Sequence, residues 1–261
     1  MSGLLHHTST GKGKTIVFIH GFCESTEIWT SYAKHFEDSY NVVCIDLPGH
    51  GKSAGLGDKT TIDLMADLVH KTLTHLELDK PVIIGHSLGG YVTVAFAEKF
   101  PEALAGFCFF HSSAFEDTPE TKEKRIKTAE YVKNHGVDSF SIPFVPGLFF
   151  QKRREELKTS IDFATEIARK MTTENIVNTI YAMRDRKERI EFLKETALPV
   201  AFIVGKEDTA VTIDKSLAQC HLPKQSSVLF LGQTAHMGMF EREKETVLFL
   251  KGFINQAFGG K

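Results

Sequence analysis

The sequence predicts a doubly wound α/β fold, with a mostly parallel sheet and an inserted helical segment, on three observations. Six short β-branched and aromatic runs recur, at residues 15–20, 41–46, 81–85, 105–110, 199–205 and 227–231. Such near-continuous apolar runs are what parallel strands covered on both faces require. Between them lie stretches with apolar residues every three or four positions, the period of crossover helices. The alternation breaks in the middle, where residues 116–196 hold 16 of the 31 Lys/Arg and 15 of the 33 Asp/Glu. That shift marks an insertion, dividing the chain into a core of residues 1–115 and 197–261 and an inserted helical subdomain of 116–196.

Taken in order, strand 15–20 leads to a predicted helix at 27–37 with Ser25 as its N-cap. Strand 41–46 is followed by a helix at 61–76, and strand 81–85 by one at 88–100 that Pro101 stops. After strand 105–110 the insertion begins. Thr118 serves there as N-cap, Pro119 as first helical residue and Gly136 as the residue past the end. Three more helices are predicted near 151–170, 174–184 and 187–194. Residues 140–150, with Pro143, Pro146 and dense apolar side chains, suit neither a helix nor a solvated loop, so another element must cover them. Strand 199–205, a helix at 213–220, strand 227–231 and a helix at 241–257 complete the alternation.

A chain of 261 residues can bury a sizeable core without a metal or disulfide staple. Its formal charge of -2 offers no positive field to draw nucleic acid or an anionic membrane, so neither partner is expected. No apolar stretch approaches the roughly 18 residues of a membrane span. Residues 1–7 lack the basic and apolar parts of a secretory signal. Cys23, Cys44, Cys108 and Cys220 show no CxxC spacing, which reads as free thiols in a cytoplasmic protein. The 21 phenylalanines, against one tryptophan, must fill a core or line an apolar cavity.

The sharpest local signal is Gly85-His86-Ser87-Leu88-Gly89-Gly90, set between a predicted strand and a predicted helix. It matches G-x-S-x-G, a pattern whose meaning comes from that setting. A serine in so tight a turn takes a strained backbone, and the chain passes so close that glycine is needed two residues before and two after. The turn lifts the Ser87 hydroxyl above the carboxyl edge of the sheet, and the helix opening at Leu88 directs its free N–H groups toward it.

A neutral serine is a weak nucleophile until a base takes its proton, and the base needs an orienting acid. Strand 199–205 runs into Lys206-Glu207-Asp208-Thr209, and strand 227–231 into Gln233-Thr234-Ala235-His236. Both loops leave carboxyl ends of strands, where sites form in such sheets. Asp208 is the expected acid, with Glu207 or Asp117 as alternatives, and His236 the expected base. His86, although adjacent to Ser87, is expected to point along the turn and away from the hydroxyl.

Together with His20-Gly21-Phe22 and Asp46-Leu47-Pro48-Gly49-His50-Gly51-Lys52-Ser53, these segments resemble the α/β-hydrolase superfamily, in its capped, esterase-like branch. The resemblance implies that His20 to Phe22 forms the oxyanion loop, with the backbone N–H of Phe22 and of Leu88 as the two donors. It implies that residues 46–53 form a structural loop, that His20 and His50 are structural, and that the insertion covers the nucleophile. A serine at 87 argues against epoxide hydrolases and haloalkane dehalogenases, which attack through a carboxylate. Tyr91 stands where the menaquinone-pathway lyases of this fold carry Arg, and the loop after Gly21 lacks the Ser-Gly-rich form of the carbon-carbon bond hydrolases. Cys23 reads as a packing residue.

The expected function is hydrolysis of carboxylic esters by Ser87, His236 and Asp208 through an acyl-enzyme, without metal or organic cofactor, on a small-molecule substrate. Activity should fall as pH drops through about 6 to 7, because His236 must be neutral to act. Phe115, Phe140, Phe144, Phe149, Phe150 and Tyr181 either roof the nucleophile or form the insertion's own core. A roof would favour small to medium uncharged acyl groups over polyanions. Lys152-Arg153-Arg154 reads as a solvated helix start, with an anion grip as the alternative. Lactone or C–C bond hydrolysis, cofactor-free perhydrolysis, and a non-catalytic small-ligand receptor remain open alternatives.

Overall fold

A computed structural model describes residues 3–260; residues 1, 2 and 261, the ends of the expected core segments, lie outside it. The chain runs β1 (His7–Thr10), β2 (Thr15–Ile19), β3 (Asn41–Ile45), α1 (Ile62–His75), β4 (Val82–His86), α2 (Leu88–Lys99) and β5 (Gly106–Phe110). Then come α3 (Pro119–Gly147), α4 (Lys158–Arg169), α5 (Thr173–Arg184) and α6 (Ile190–Glu195), all helical. The alternation resumes with β6 (Val200–Gly205), α7 (Ile213–Gln219), β7 (Ser226–Leu231), α8 (Gly238–Glu241) and α9 (Glu243–Ala257). The seven strands form one sheet in the order β1-β3-β2-β4-β5-β6-β7, all parallel except β1, which pairs antiparallel with β3. This is the architecture of an α/β hydrolase.

The central strands β2, β4, β5 and β6 are buried along their whole length, as their apolar runs require. Phe18, Trp29, Tyr32 and Phe36 pack ring against ring over β2, and Phe109 stacks on Phe202 across β5 and β6. The phenylalanine excess is therefore in large part core. Consecutive parallel strands end at the same edge of the sheet, so the loops after β2, β4, β5, β6 and β7 converge there.

Three local expectations are corrected. The predicted helix at 27–37 is two short 3-10 turns, Thr26–Trp29 and Ala33–His35, with Ser25 capping the first through Glu27 N–H. Residues 137–147 continue α3 beyond a kink at Gly136 (φ 80, ψ 177), which is why Gly136 looked like a helix end. Pro143 removes the donor owed to the Ser139 carbonyl, and the Tyr131 hydroxyl supplies one instead at 3.5 Å. Burial of Phe140, Ser141 and Val145 holds that kinked turn in place. The stretch near 151–170 is a 3-10 turn, Gln151–Arg153, followed by α4. β1 was not foreseen: its short polar run, HTST, carries no apolar alternation, and pairing with β3 alone makes it a strand.

Candidate active site

The turn between β4 and α2 shows why its glycines are obligatory. Ser87 sits at φ 49, ψ -112, a left-handed conformation that side chains rarely take. A Cβ on Gly85 would come 2.4 Å from the Gly89 carbonyl oxygen, and one on Gly89 would come 2.4 Å from the Ile19 carbonyl oxygen. Ser87 is held by its N–H on the Phe110 carbonyl (3.0 Å), while its carbonyl accepts from the Ser112 hydroxyl (2.6 Å). Leu88 opens α2, so its N–H has no acceptor within the helix.

His236 and Asp208 arrive on the loops after β7 and β6. Nδ1 of His236 lies 2.8 Å from Oδ2 of Asp208, and both side chains are almost wholly buried. The other carboxylate oxygen accepts from the N–H groups of Ala210 (2.8 Å) and Val211 (2.9 Å). Burial alone would raise the Asp208 pKa, but the facing imidazole outweighs it and holds the carboxyl far below the usual range. Burial likewise works against a charged His236, and Asp208 overcomes it, leaving His236 raised above 6.5. Asp117 turns instead to Arg125 and Arg186, and Glu207 accepts the Thr234 N–H, so neither alternative acid faces His236.

Ser87 and His236 line one cavity of about 220 Å³ together with Phe22, Tyr91, Phe140 and Phe144. Phe22 packs against Phe140 and Phe144 at ring separations of 6.1 and 5.9 Å, joining the oxyanion-loop candidate to α3. The other expected pocket aromatics lie elsewhere. Phe149 is buried against Phe240, and Phe150 gives its N–H to Glu241. Phe115 packs on the core, and Tyr181 lies near the surface beneath Arg184. Arg153 is occupied by Glu156 and the Glu241 carbonyl, and Arg154 reaches the Phe149 carbonyl.

Three further buried groups, His86, Glu241 and His111, support this loop cluster. His86 does turn from the hydroxyl, and its ring instead bridges two segments, with Nδ1 2.9 Å from Glu24 and Nε2 2.9 Å from the His236 carbonyl. Glu241 accepts the N–H groups of Ala235 (3.0 Å), Met237 (3.1 Å) and Phe150 (3.0 Å), tying the histidine loop to the insertion. The His236 N–H itself donates to the Leu148 carbonyl of the insertion, at 2.9 Å. His111 follows β5 directly, a placement that could have flagged it; its Nδ1 accepts from the Gly205 N–H at 3.2 Å. That bond occupies the lone pair facing Asp208, 3.4 Å away, so the latter approach is not a hydrogen bond. Burial pushes the His111 pKa down to about 4, in keeping with a neutral ring.

His111, Asp208 and His236 are the one group of metal-ligand type among the described residues. The ring nitrogens that face Asp208 are already in use, Nδ1 of His236 in its bond to Asp208 and Nδ1 of His111 in accepting the Gly205 N–H. His20 and His50 are buried; His20 bonds backbone at both nitrogens and His50 bonds the Pro48 carbonyl. Asp46 braces residues 46–53 by accepting from Thr26 and Lys52 N–H, at 2.7 and 2.9 Å. Burial, and Glu24 beside it, push the Cys23 thiol well above its ordinary value, which suits packing and not attack.

The model of the α/β-hydrolase fold family matches residues 14–243. The chain belongs to that family. Among curated relatives, this α/β hydrolase is 23% identical over 238 residues to (E)-2-((N-methylformamido)methylene)succinate hydrolase from Acinetobacter baylyi, covering 89% of this chain and 87% of the other. Among solved structures, a thermophilic esterase from Thermogutta terrifontis superposes with a TM-score of 0.92 at 25% identity, over 97% of this chain and 93% of that one. The enol-lactonase from Burkholderia xenovorans LB400 shares the fold at 18% identity, with a TM-score of 0.88 over 96% of each chain. No helix among the described residues is long and apolar enough to cross a membrane.

Proposed function

We propose that this α/β hydrolase cleaves carboxylic esters of small to medium acyl groups through an acyl-enzyme on Ser87, with residues 116–196 as the cap. The observation that carries the reading is the pairing of His236 with Asp208 at 2.8 Å, in a cavity that His236 and Ser87 line together. His236, neutral and with its proton held on Nδ1 by Asp208, takes the Ser87 proton as the hydroxyl oxygen attacks the ester carbonyl. The tetrahedral oxyanion is met by the N–H groups of Phe22 and Leu88, each worth about 3 kcal/mol in such sites. His236 then gives its proton to the departing alkoxide, and water, deprotonated by the same imidazole, releases the acid.

A cavity of about 220 Å³ between Phe22, Phe140 and Phe144 sets the scale of the acyl group. Four free, buried cysteines fit a cytoplasmic protein. The test is a fluorophosphonate probe with p-nitrophenyl esters of rising acyl length, on wild type and Ser87→Ala. Labelling at Ser87, and a loss of several powers of ten in the variant with melting unchanged, are expected. An unlabelled, folded wild-type protein would point to a receptor, and full activity in Ser87→Ala to another nucleophile.

A further inference from the structure

Beside the cavity that holds Ser87 lies a second, of about 190 Å³, and the two share Tyr91, Arg125, Ala210 and Val211. Among the described residues the second is lined by four cations, Lys124, Arg125, Arg186 and Lys215, against the carboxylate of Asp117. Asp117 is engaged three times, by Nε of Arg125, by Nη2 of Arg125 at 3.4 Å and by Nη1 of Arg186 at 2.6 Å, which leaves Nη1 as the free end of Arg125. One buried negative charge thus faces two guanidinium groups, and the surplus is positive.

Arg186 is built in: it donates to the Phe115 and Met183 carbonyls and lies 4.1 Å from the Tyr91 ring centre. Arg125 is less satisfied. Its Nη1 faces only the Met183 sulfur, 3.7 Å away, and a thioether is a weak acceptor. Guanidinium donors so placed, in partly water-excluded space with surplus charge, favour an incoming planar anion. Lys124 and Lys215 stand nearer solvent and add to the attraction. In the first cavity Glu24 keeps its negative charge, with Oε2 accepting from the Gly21 N–H and facing His86 Nδ1 while Oε1 has no partner among the described residues, so the four cations still outnumber the carboxylates of Asp117 and Glu24 by two.

We infer that the subsite at Arg125 binds a carboxylate carried by the substrate, so that the preferred esters are monoesters of short dicarboxylic acids. This rests on the proposed ester chemistry at Ser87. The ester carbonyl lies at Ser87 and the free carboxylate at Arg125, with the methylene chain against Ile180 and Met183, which line the first cavity with both. Singly charged acyl groups thus replace the uncharged ones that the sequence led us to expect. The near balance of charge over residues 116–196 hid the surplus, because balance along a sequence says nothing of which side chains face one space.

The test compares kcat/KM for monoethyl glutarate with ethyl pentanoate, and for monoethyl adipate with ethyl hexanoate, by proton release at low salt. Wild type should favour the carboxylate-bearing ester of each pair by tenfold or more, and Arg125→Gln should reduce that ratio at least tenfold. The double variant Lys124→Gln/Lys215→Gln should reduce it several-fold, and it decides the matter should Arg125→Gln fail to fold. No preference in wild type, or a ratio unchanged in the folded variants, overturns the subsite. Should wild type turn over neither kind of ester, the chemistry at Ser87 fails separately, and calorimetry with adipate decides the subsite. Binding that Arg125→Gln weakens tenfold, or the double variant several-fold, sustains it; absence of binding, or binding that neither folded variant weakens, overturns it.

Discussion

Replacing Asp208 by Asn tests the chemistry most directly, because the structure confines the change to one contact. Oδ1 of Asp208 accepts two N–H groups, from Ala210 and Val211, and an Asn amide oxygen keeps both. Rotating the amide the other way would set its NH₂ against those two donors, leaving each unpaired at about 1–3 kcal/mol. The NH₂ therefore takes the place of Oδ2, 2.8 Å from Nδ1 of His236. An amide N–H donates, so Nδ1 must become the acceptor and the ring proton moves to Nε2, the nitrogen that Ser87 needs as base. Loss of the right tautomer is worth about 10⁴ in kcat, or roughly 5.5 kcal/mol. Removing the carboxylate also removes what holds His236 above 6.5, leaving burial to lower it. Residual activity should therefore hold to lower pH than in wild type. The assay is kcat on p-nitrophenyl butyrate from pH 5 to 9, with thermal melting as the control for folding. A folded variant within tenfold of wild type, with its acid limb unmoved, would refute the assignment of Asp208 as orienting acid.

Further outcomes follow from the same geometry. In wild type, kcat/KM should fall as pH drops through a value above 6.5, because the raised pKa of His236 moves the loss of neutral base upward; a rate flat down to pH 6 would contradict it. Gly89→Ala places a Cβ 2.4 Å from the Ile19 and 2.7 Å from the His20 carbonyl oxygens, both backbone. It should cost about 3 kcal/mol, and denaturant unfolding at wild-type stability would show that the turn can relax. Glu241→Ala leaves the N–H groups of Ala235, Met237 and Phe150 unpaired around His236, whereas Glu241→Gln keeps an acceptor for two of them. The Ala variant should lose more kcat and more stability than the Gln variant; equal values would show that Glu241 does not position the loop.

Where the structure departs from what the sequence suggests, tertiary context outweighed local pattern. Nothing in HTST announces β1, and nothing near Pro143 announces a helix, because each is held by a neighbour: β3 in one case, the burial of Phe140 and Val145 in the other. The segment 27–37 has helical spacing, yet Trp29 and Tyr32 are drawn onto Phe18, and only short 3-10 turns satisfy that packing. The aromatics of the insertion read alike in sequence, and only the kink at Gly136 decides that Phe140 and Phe144 meet Phe22 while Phe149 meets Phe240.

By itself the chain order determined the alternation of strands and helices, the glycines of the turn at Ser87, and the two loops that carry Asp208 and His236. Those features are local: hydrophobic period, backbone freedom at glycine, and the rule that loops gather at the carboxyl ends of parallel strands. Which buried partners brace the histidine loop, and which four cations look into one cavity, only the tertiary structure decided. Such facts depend on distances between segments that lie as much as 150 positions apart, as His86 and His236 do, and no short-range pattern records them.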